Sequence, residues 1–289
     1  MKIAYIILHY MAYDDTIECT NSILDISNNC NHDVKIIIVD NGSSNNSCSI
    51  LKEKYKDNNN VTIIINDSNL GFAKGNNVGF LYAKNIFKAD FIVQLNNDTI
   101  INQTDFNDRI IKLYDQNTYA VLGPDIITLD GCHQNPVKNV NWTFFKLFIF
   151  RTKKIIQYLM TFIPFMDKYL HINESSFRKH MVDRIVIDTT LHGACYIFSS
   201  DYISKFDGLY DKTFLYMEED ILKLRADYYG YKMIYSPDVR IIHKEDIATN
   251  MIVSSSIKKK RWVYKNLINS SKVYMKLKRE YCKDNAKVN

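Results

Sequence analysis

Near the middle of the chain stands FIVQLNNDTII, residues 91–101. An apolar run climbs to Leu95, meets Asn96, Asn97 and Asp98, and turns apolar again at Ile100. An ionised carboxylate without a partner is costly beside a core strand, so Asp98 implies something to face. An oxygen-rich turn suits a hard cation: Mg2+ or Mn2+ needs only one or two carboxylates when a diphosphate supplies the other ligands. Asp98 capping its own turn is an equal alternative on the loop alone.

Four other stretches carry groups that could do chemistry. Asp40-Asn41-Gly42-Ser43 follows an apolar run and either caps a helix or accepts hydrogen bonds from a nucleobase or ribose. NLGFAKGNNVGF, residues 69–80, has neither a Gly-Lys-Ser/Thr ending nor G-x-G-x-x-G. Its Gly71 permits a close turn, its Asn76 and Asn77 can reach back to a pocket edge, and a helix N-terminus there could face an anion. FLYMEED, residues 214–220, places Glu218, Glu219 and Asp220 side by side. Adjacent acids raise one another's pKa, which is tolerated where a base is wanted, although acids also suit a helix N-terminus. His243 ends an apolar run and could ligate a metal or contact a phosphate. Lys260 and Arg261, in the KKKRW of residues 258–262, could neutralise a departing diphosphate.

The elements that must position these groups alternate along the first half. Residues 2–8, 33–40, 61–66, 90–95 and 119–123 read as strands; 14–26, 45–57, 73–86 and about 104–116 read as helices. That alternation predicts an α/β fold with a mostly parallel central sheet flanked by helices. Ligands of such sheets gather beyond the carboxyl ends of the strands. There the sequence puts His9-Tyr10, Asp40 to Ser44, Asn66 to Gly71 and Asn96 to Asp98. Four polar loops at one edge predict a pocket. The second half holds the acid cluster and predicts a division into 1–125, the half with the polar loops, 126–255, the half where a second substrate and the chemistry would sit, and 256–289, a basic helical tail; the nucleotide-sugar-binding and acceptor-binding roles of the first two are what the resemblance named below implies.

Composition bounds the alternatives. The chain has 289 residues, 46% hydrophobic, with 20 Tyr and 15 Phe, ample for a folded core. Its net charge of +5 is uneven, because residues 256–289 hold 11 Lys and Arg against 2 acids. Such a tail serves phosphate groups, an anionic membrane or nucleic acid, or is a solvated helix face. Six Cys without a C-x-x-C pattern argue against a disulfide framework or zinc site and for a reducing compartment. The opening MKIAYIILHY reads as a strand rather than a leader peptide. The Asn97-Asp98-Thr99 triplet would bury the central loop if glycosylated, which favours a cytoplasmic location. The oily stretch 142–165 is broken by Lys146, Arg151, Lys153 and Lys154. It predicts a segment on the inner face of a membrane or the helices of a lid, not a span.

In order, ILHY…DDTIECTNSIL, IIIVDNGSSN, NLGFAKGNNVGF, LNNDT, HGACYIF and FLYMEEDILKLR…GYKMIYSPDVRIIH resemble the family 2 glycosyltransferases with the GT-A fold, in particular bacterial rhamnosyltransferase-like members. The resemblance spans about residues 3–245. It implies inverting transfer of a single sugar from a UDP- or dTDP-linked donor to a saccharide or lipid-linked acceptor, in bacterial surface polysaccharide biosynthesis. It implies a nucleotide-sugar site at His9, Tyr10, Asp40, Asn41, Asn69, Gly71, Asn76 and Asn97. The family's D-x-D motif falls on Asn96-Asn97-Asp98, with Asn in place of the first Asp. Asp98, with His243, would then hold a divalent cation, Mn2+ or Mg2+. Glu219 becomes the base if the Glu-Asp pair aligns without a gap, and Asp220 if it shifts by one; His192, Gly193 and Glu218 line the acceptor side. Two rivals remain: a sugar nucleotidyltransferase, which would need a Gly-rich basic signature after the first strand, and a non-catalytic sugar- or nucleotide-binding protein of the same fold. Nucleic acid is not an expected partner.

Overall fold

The run DVKIIIVD forms strand β2 (Asp33–Asp40), buried without a break from Ile36 to Asp40. Continuous apolar character is what a strand covered on both faces requires. β2 pairs in parallel with β1 (Lys2–His9) and β3 (Val61–Ile65), and β1 pairs in parallel with β4 (Phe91–Asn96). Helices α1 (Tyr13–Ser27), α2 (Ser47–Tyr55) and α3 (Phe72–Tyr82, extended by a π turn over Ala83–Phe87) make the crossovers. The chain continues through β5 (Thr99–Ile100), α4 (Phe106–Asn117), β6 (Val121–Thr128), α5 (Phe144–Met160), β7 (Val186–Ile187) and β8 (Cys195–Phe198). It ends with α6 (Ser200–Lys205), α7 (Glu218–Tyr229), β9 (Met233–His243) and α8 (Ser256–Val288). This computed structural model describes residues 1–28, 30–166, 170, 180–245 and 256–288.

The strands form one sheet in the order β3-β2-β1-β4-β8-β6-β9-β5, with β7 beside β9. The expected α/β architecture, a mostly parallel sheet flanked by helices, is what forms. Two features go beyond the sequence reading. β8 enters antiparallel between β4 and β6, and β6 runs on past residue 123 to Thr128 through a register shift at Pro124/Asp125. β6 crosses residue 125 without a break, so both halves share the sheet; the 255/256 division adjoins residues 246–255, outside the described residues.

Ile23, Leu51 and Phe106 pack on one sheet face, from α1, α2 and α4. Phe80, Tyr202 and Leu222 pack on the other, from α3, α6 and α7. A third cluster joins α5, α7 and α8 through Leu147, Met217, Ile221, Tyr274 and Leu277. The basic tail is therefore a packed helix rather than a solvated one.

Register sets the site. His9 lies opposite Asp40, and Leu8 opposite Asn96, so β1, β2 and β4 end flush at their carboxyl edge. The connections leave β1 towards β2 on one side and reach β4 on the other. A crevice opens at such a reversal of strand order.

Candidate active site

The short β5 decides the surroundings of Asp98. It pairs antiparallel with the end of β9, setting Thr99 opposite His243, and the Lys244 N–H donates to the Asp98 carbonyl at 2.9 Å. Oδ1 of Asp98 then lies 3.3 Å from Nε2 of His243, both residues being buried. The Gln134 amide donates to Glu245, and its Oε1 lies 2.7 Å from Nδ1 of His243. An amide oxygen only accepts, so Nδ1 carries a hydrogen and Nε2 is the ring nitrogen turned towards Asp98. Asp98 Oδ1 is buried without a hydrogen bond. A buried carboxylate oxygen without a hydrogen bond and an imidazole nitrogen 3.3 Å from it are both ligand types that divalent cations take, so these two residues fit such an ion. Among the described residues no cluster of three or more His, Cys, Asp or Glu side chains could hold a metal. Two protein ligands suit an ion that takes the rest from a diphosphate.

His192 stacks edgewise against His243, with ring centroids 5.8 Å apart. Burial, and secondarily His243, push its pKa down to about 3, so the ring is neutral. Its backbone N–H donates to Asn135 Oδ1 at 2.7 Å, and its Nδ1 accepts from the Ala194 N–H at 3.2 Å. Asn135 also donates to the Pro124 carbonyl at 2.8 Å. Gln134 thus anchors the His243 imidazole and Asn135 the backbone of His192. The sequence reading missed them; the polar run GCHQNP after β6 was the available signal.

The acid cluster opens α7. Tyr216 and Met217 precede it with φ of 73° and 67°, left-handed values that cost side-chain-bearing residues energy and here aim the first turn. Glu218 is buried and accepts from the Thr213 hydroxyl at 3.0 Å; burial, then Glu219, lift its pKa to about 8. Glu219 is half-buried, and a methyl group at Gly193 would lie 3.1 Å from its Oε1. Burial raises its pKa, against the Gly193 N–H that lowers it. Asp220 turns elsewhere: it accepts from the Trp142 indole at 2.8 Å, and burial lifts its pKa to about 6. The chain of contacts from Asp98 through His243, His192 and Gly193 therefore reaches Glu219, while Asp220 belongs to the α5 side.

The loops that follow β1, β2 and β3 are held by hydrogen bonds of their own. Asn41 donates to Asn69 Oδ1 at 3.0 Å and to the Gly71 carbonyl at 3.2 Å, while its Oδ1 accepts from Asn66 and Leu70. It clamps the 66–71 loop to β2. Gly71 has φ of 83°, and a Cβ there would come 2.4 Å from the Phe214 carbonyl. That carbonyl accepts from the Phe72 N–H at 2.8 Å, tying the 66–71 loop to the loop that leads into the acids. Asp40 is buried at the β2 end and accepts from the Ser43 N–H at 3.3 Å. Tyr10 is half-buried at the end of β1.

His9 is fully buried, with Nδ1 2.7 Å from Thr16 Oγ1 and Nε2 2.8 Å from Ser47 Oγ. Burial pushes its pKa down to about 4. Both ring nitrogens are engaged inside the fold, so His9 braces the pocket from behind. Asn97 likewise donates inward, to the Ala12 carbonyl and to Thr16. Asn76 donates to the Phe72 carbonyl at 3.0 Å and leaves Oδ1 buried without a partner; both amide atoms of buried Gln94 lack one too. Arg261, read in the sequence as a diphosphate ligand, is committed instead to α5. It donates to Thr161 Oγ1 at 3.0 Å and to the Thr161 carbonyl at 2.8 Å, and its guanidinium lies 4.0 Å from the Phe162 ring centre. Lys260 precedes it on α8. The reason is helical packing: the Trp262 ring faces Phe214 and Tyr216, which turns the neighbouring Arg261 towards the end of α5.

Solved structures share this architecture. The chain superposes on S. aureus TarS 1-349 with a TM-score of 0.51 at 16% identity, over 84% of this chain and 60% of that one. Against S. aureus TarS the TM-score is 0.51 at 16% identity, over 85% of this chain and 37% of that one. Against TarS 1-349 in complex with UDP-GlcNAc it is 0.53 at 15% identity, over 94% and 66%. This chain thus spans less than two thirds of each. At such identity the likeness is one of fold. Comparison with curated proteins gave no match. The Glycosyl transferase family 2 profile matches residues 5–172, from the middle of β1 through the Asp98 turn and past α5. With more than half its length matched, the chain belongs to glycosyl transferase family 2.

Proposed function

We propose that this protein transfers a single sugar, with inversion, from a nucleotide-sugar donor to a hydroxyl of a saccharide or lipid-linked acceptor, as in building bacterial surface polysaccharide. The observation that carries the reading is Asp98 Oδ1, buried without a hydrogen bond and 3.3 Å from His243 Nε2, at the carboxyl edge of the sheet. Family membership and the fold shared with a UDP-GlcNAc complex support a UDP- or dTDP-linked donor.

Placement supports the following roles. Asp40, Asn41, Asn69 and Gly71 form the nucleoside side, braced by His9, Asn76 and Asn97. Asp98 and His243 would hold the divalent cation, which when bound supplies positive charge to the diphosphate leaving group. His192, Gly193 and Glu218 line the acceptor side. Glu219 takes the proton of the acceptor hydroxyl as that oxygen bonds to the anomeric carbon and the bond from carbon to phosphate oxygen breaks. A raised pKa makes Glu219 a stronger base than an exposed glutamate, provided the pH keeps it ionised.

A donor screen tests the reading by measuring nucleoside diphosphate release with and without Mn2+. Release that needs both the cation and an acceptor is expected for one donor. Donor binding without release from any donor would instead establish a non-catalytic binding protein.

A further inference from the structure

Helix α5 faces the wrong way for a solvent-exposed helix. Leu147 is buried against α7 and α8, while Phe145 and Phe148 are 72% and 62% exposed. Positions 145, 148, 149, 156 and 159 recur at helical spacing, so they form one stripe along about 21 Å of helix. Past Met160 the stripe continues through exposed Phe162, Ile163 and Phe165. An apolar face of this extent marks a docking surface.

Charge selects the occupant. No Asp or Glu occurs from residue 131 to 166. Exposed Lys146 and Lys153 flank the stripe. Cations brace both ends: Arg261 on the Phe162 ring, and Lys278 and Arg279 within 6.0 Å of the Phe144 ring centre. A second copy docked face to face would bring the same cations against one another. An anionic lipid surface offers an apolar layer for the stripe and negative headgroups for the rim. Among the described residues no helix is long and apolar enough to cross a membrane, so the geometry is that of a helix lying in the interface.

We propose that α5 and the segment to Phe165 insert their apolar face into the surface of an anionic phospholipid bilayer. The packing of α5 gives this a consequence. Its inner face shares a cluster with Met217 and Ile221, on either side of the catalytic acids, and Trp142 just before it holds Asp220. Docking therefore holds the acid cluster beside the bilayer. That the acceptor is membrane-anchored follows only if the glycosyltransferase reading also holds.

The test is co-sedimentation of the full chain with vesicles of phosphatidylethanolamine and phosphatidylglycerol, against vesicles of phosphatidylcholine alone. Binding to the anionic vesicles is expected, weakening as salt rises. The double variant Phe145→Asp/Phe148→Asp should lose about tenfold or more in partitioning. Lys146→Gln/Lys153→Gln should lose several-fold, selectively for the anionic vesicles. All four positions are exposed, so circular dichroism should show an unchanged fold. Absence of vesicle binding, or equal binding by the Phe double variant, overturns the proposal. So does a dimer that the Phe variant converts to monomer with no change in vesicle binding. The readout involves no turnover, so vesicle binding without nucleotide release would sink only the activity, and the converse only the docking.

Discussion

Oδ1 of Asp98 and Nε2 of His243 stand 3.3 Å apart, the carboxylate oxygen buried without a hydrogen bond and the imidazole held through Nδ1 by Gln134. A buried carboxylate oxygen without a hydrogen bond is costly, and a cation beside it would offset that cost. Asp98→Asn places an amide there that can donate to Nε2. It is expected to raise the melting temperature of the metal-free protein by relieving a buried carboxylate. The same variant should abolish the thermal shift that Mn2+ plus a nucleoside diphosphate gives the wild type, and the Mn2+ binding read by electron paramagnetic resonance. A variant that still binds Mn2+ with wild-type affinity would remove Asp98 from the cation site.

The two candidate bases separate by their partners. Glu219 lies against Gly193, while Asp220 accepts the Trp142 indole hydrogen. Glu219→Gln should lower kcat by about 10^2 to 10^4 with donor affinity unchanged. Asp220→Asn keeps an oxygen for Trp142 and should stay within about tenfold of wild type. The opposite ranking in steady-state kinetics would assign the base to Asp220.

Stability should fall as the solution becomes alkaline. The folded pKa of Glu218 is about 8, above the ordinary 4.5, so the native state keeps a proton that the unfolded chain has released. Stability from this group is complete below the ordinary value and is lost as pH rises towards the folded one. His9, at about 4, and His192, at about 3, act in the opposite sense, losing stability as pH falls below 6.5. Between 6.5 and 8 Glu218 acts without them, at a cost of about 1 to 2 kcal/mol. Urea unfolding across that window should show the decline, and Glu218→Gln should flatten it. A wild-type slope unchanged in the variant would mean Glu218 is ionised in the native protein.

Gly71 couples the two halves of the site. A side chain there meets the Phe214 carbonyl at 2.4 Å and adopts φ of 83°. Gly71→Ala is expected to destabilise the fold by about 2 kcal/mol or more. It should also raise the donor KM, because the loop moves off the Phe72 to Phe214 hydrogen bond. Wild-type stability and KM together would show that the loop accommodates the methyl group at no cost.

The sequence by itself determined the strand and helix alternation, and it singled out the carboxyl edge with Asp40, Asp98, Glu219 and His243 as candidates. These signals are local: apolar runs bounded by polar turns, and acids at a helix start. Tertiary structure decided which way each group turns. His9 and Asn97 look the same in sequence as ligand contacts, yet packing of α1 on the sheet directs them inward to Thr16. Asp220 went to Trp142, 78 residues away, and Arg261 to Thr161, 100 residues away. The anchors Gln134 and Asn135 were hidden because their partners lie on other elements. The orientation of α5 was undecidable too, since an amphipathic pattern names an apolar stripe but not whether the fold covers it. Period and composition are written along the chain, whereas a hydrogen-bond partner or a covered face depends on which distant element packs there.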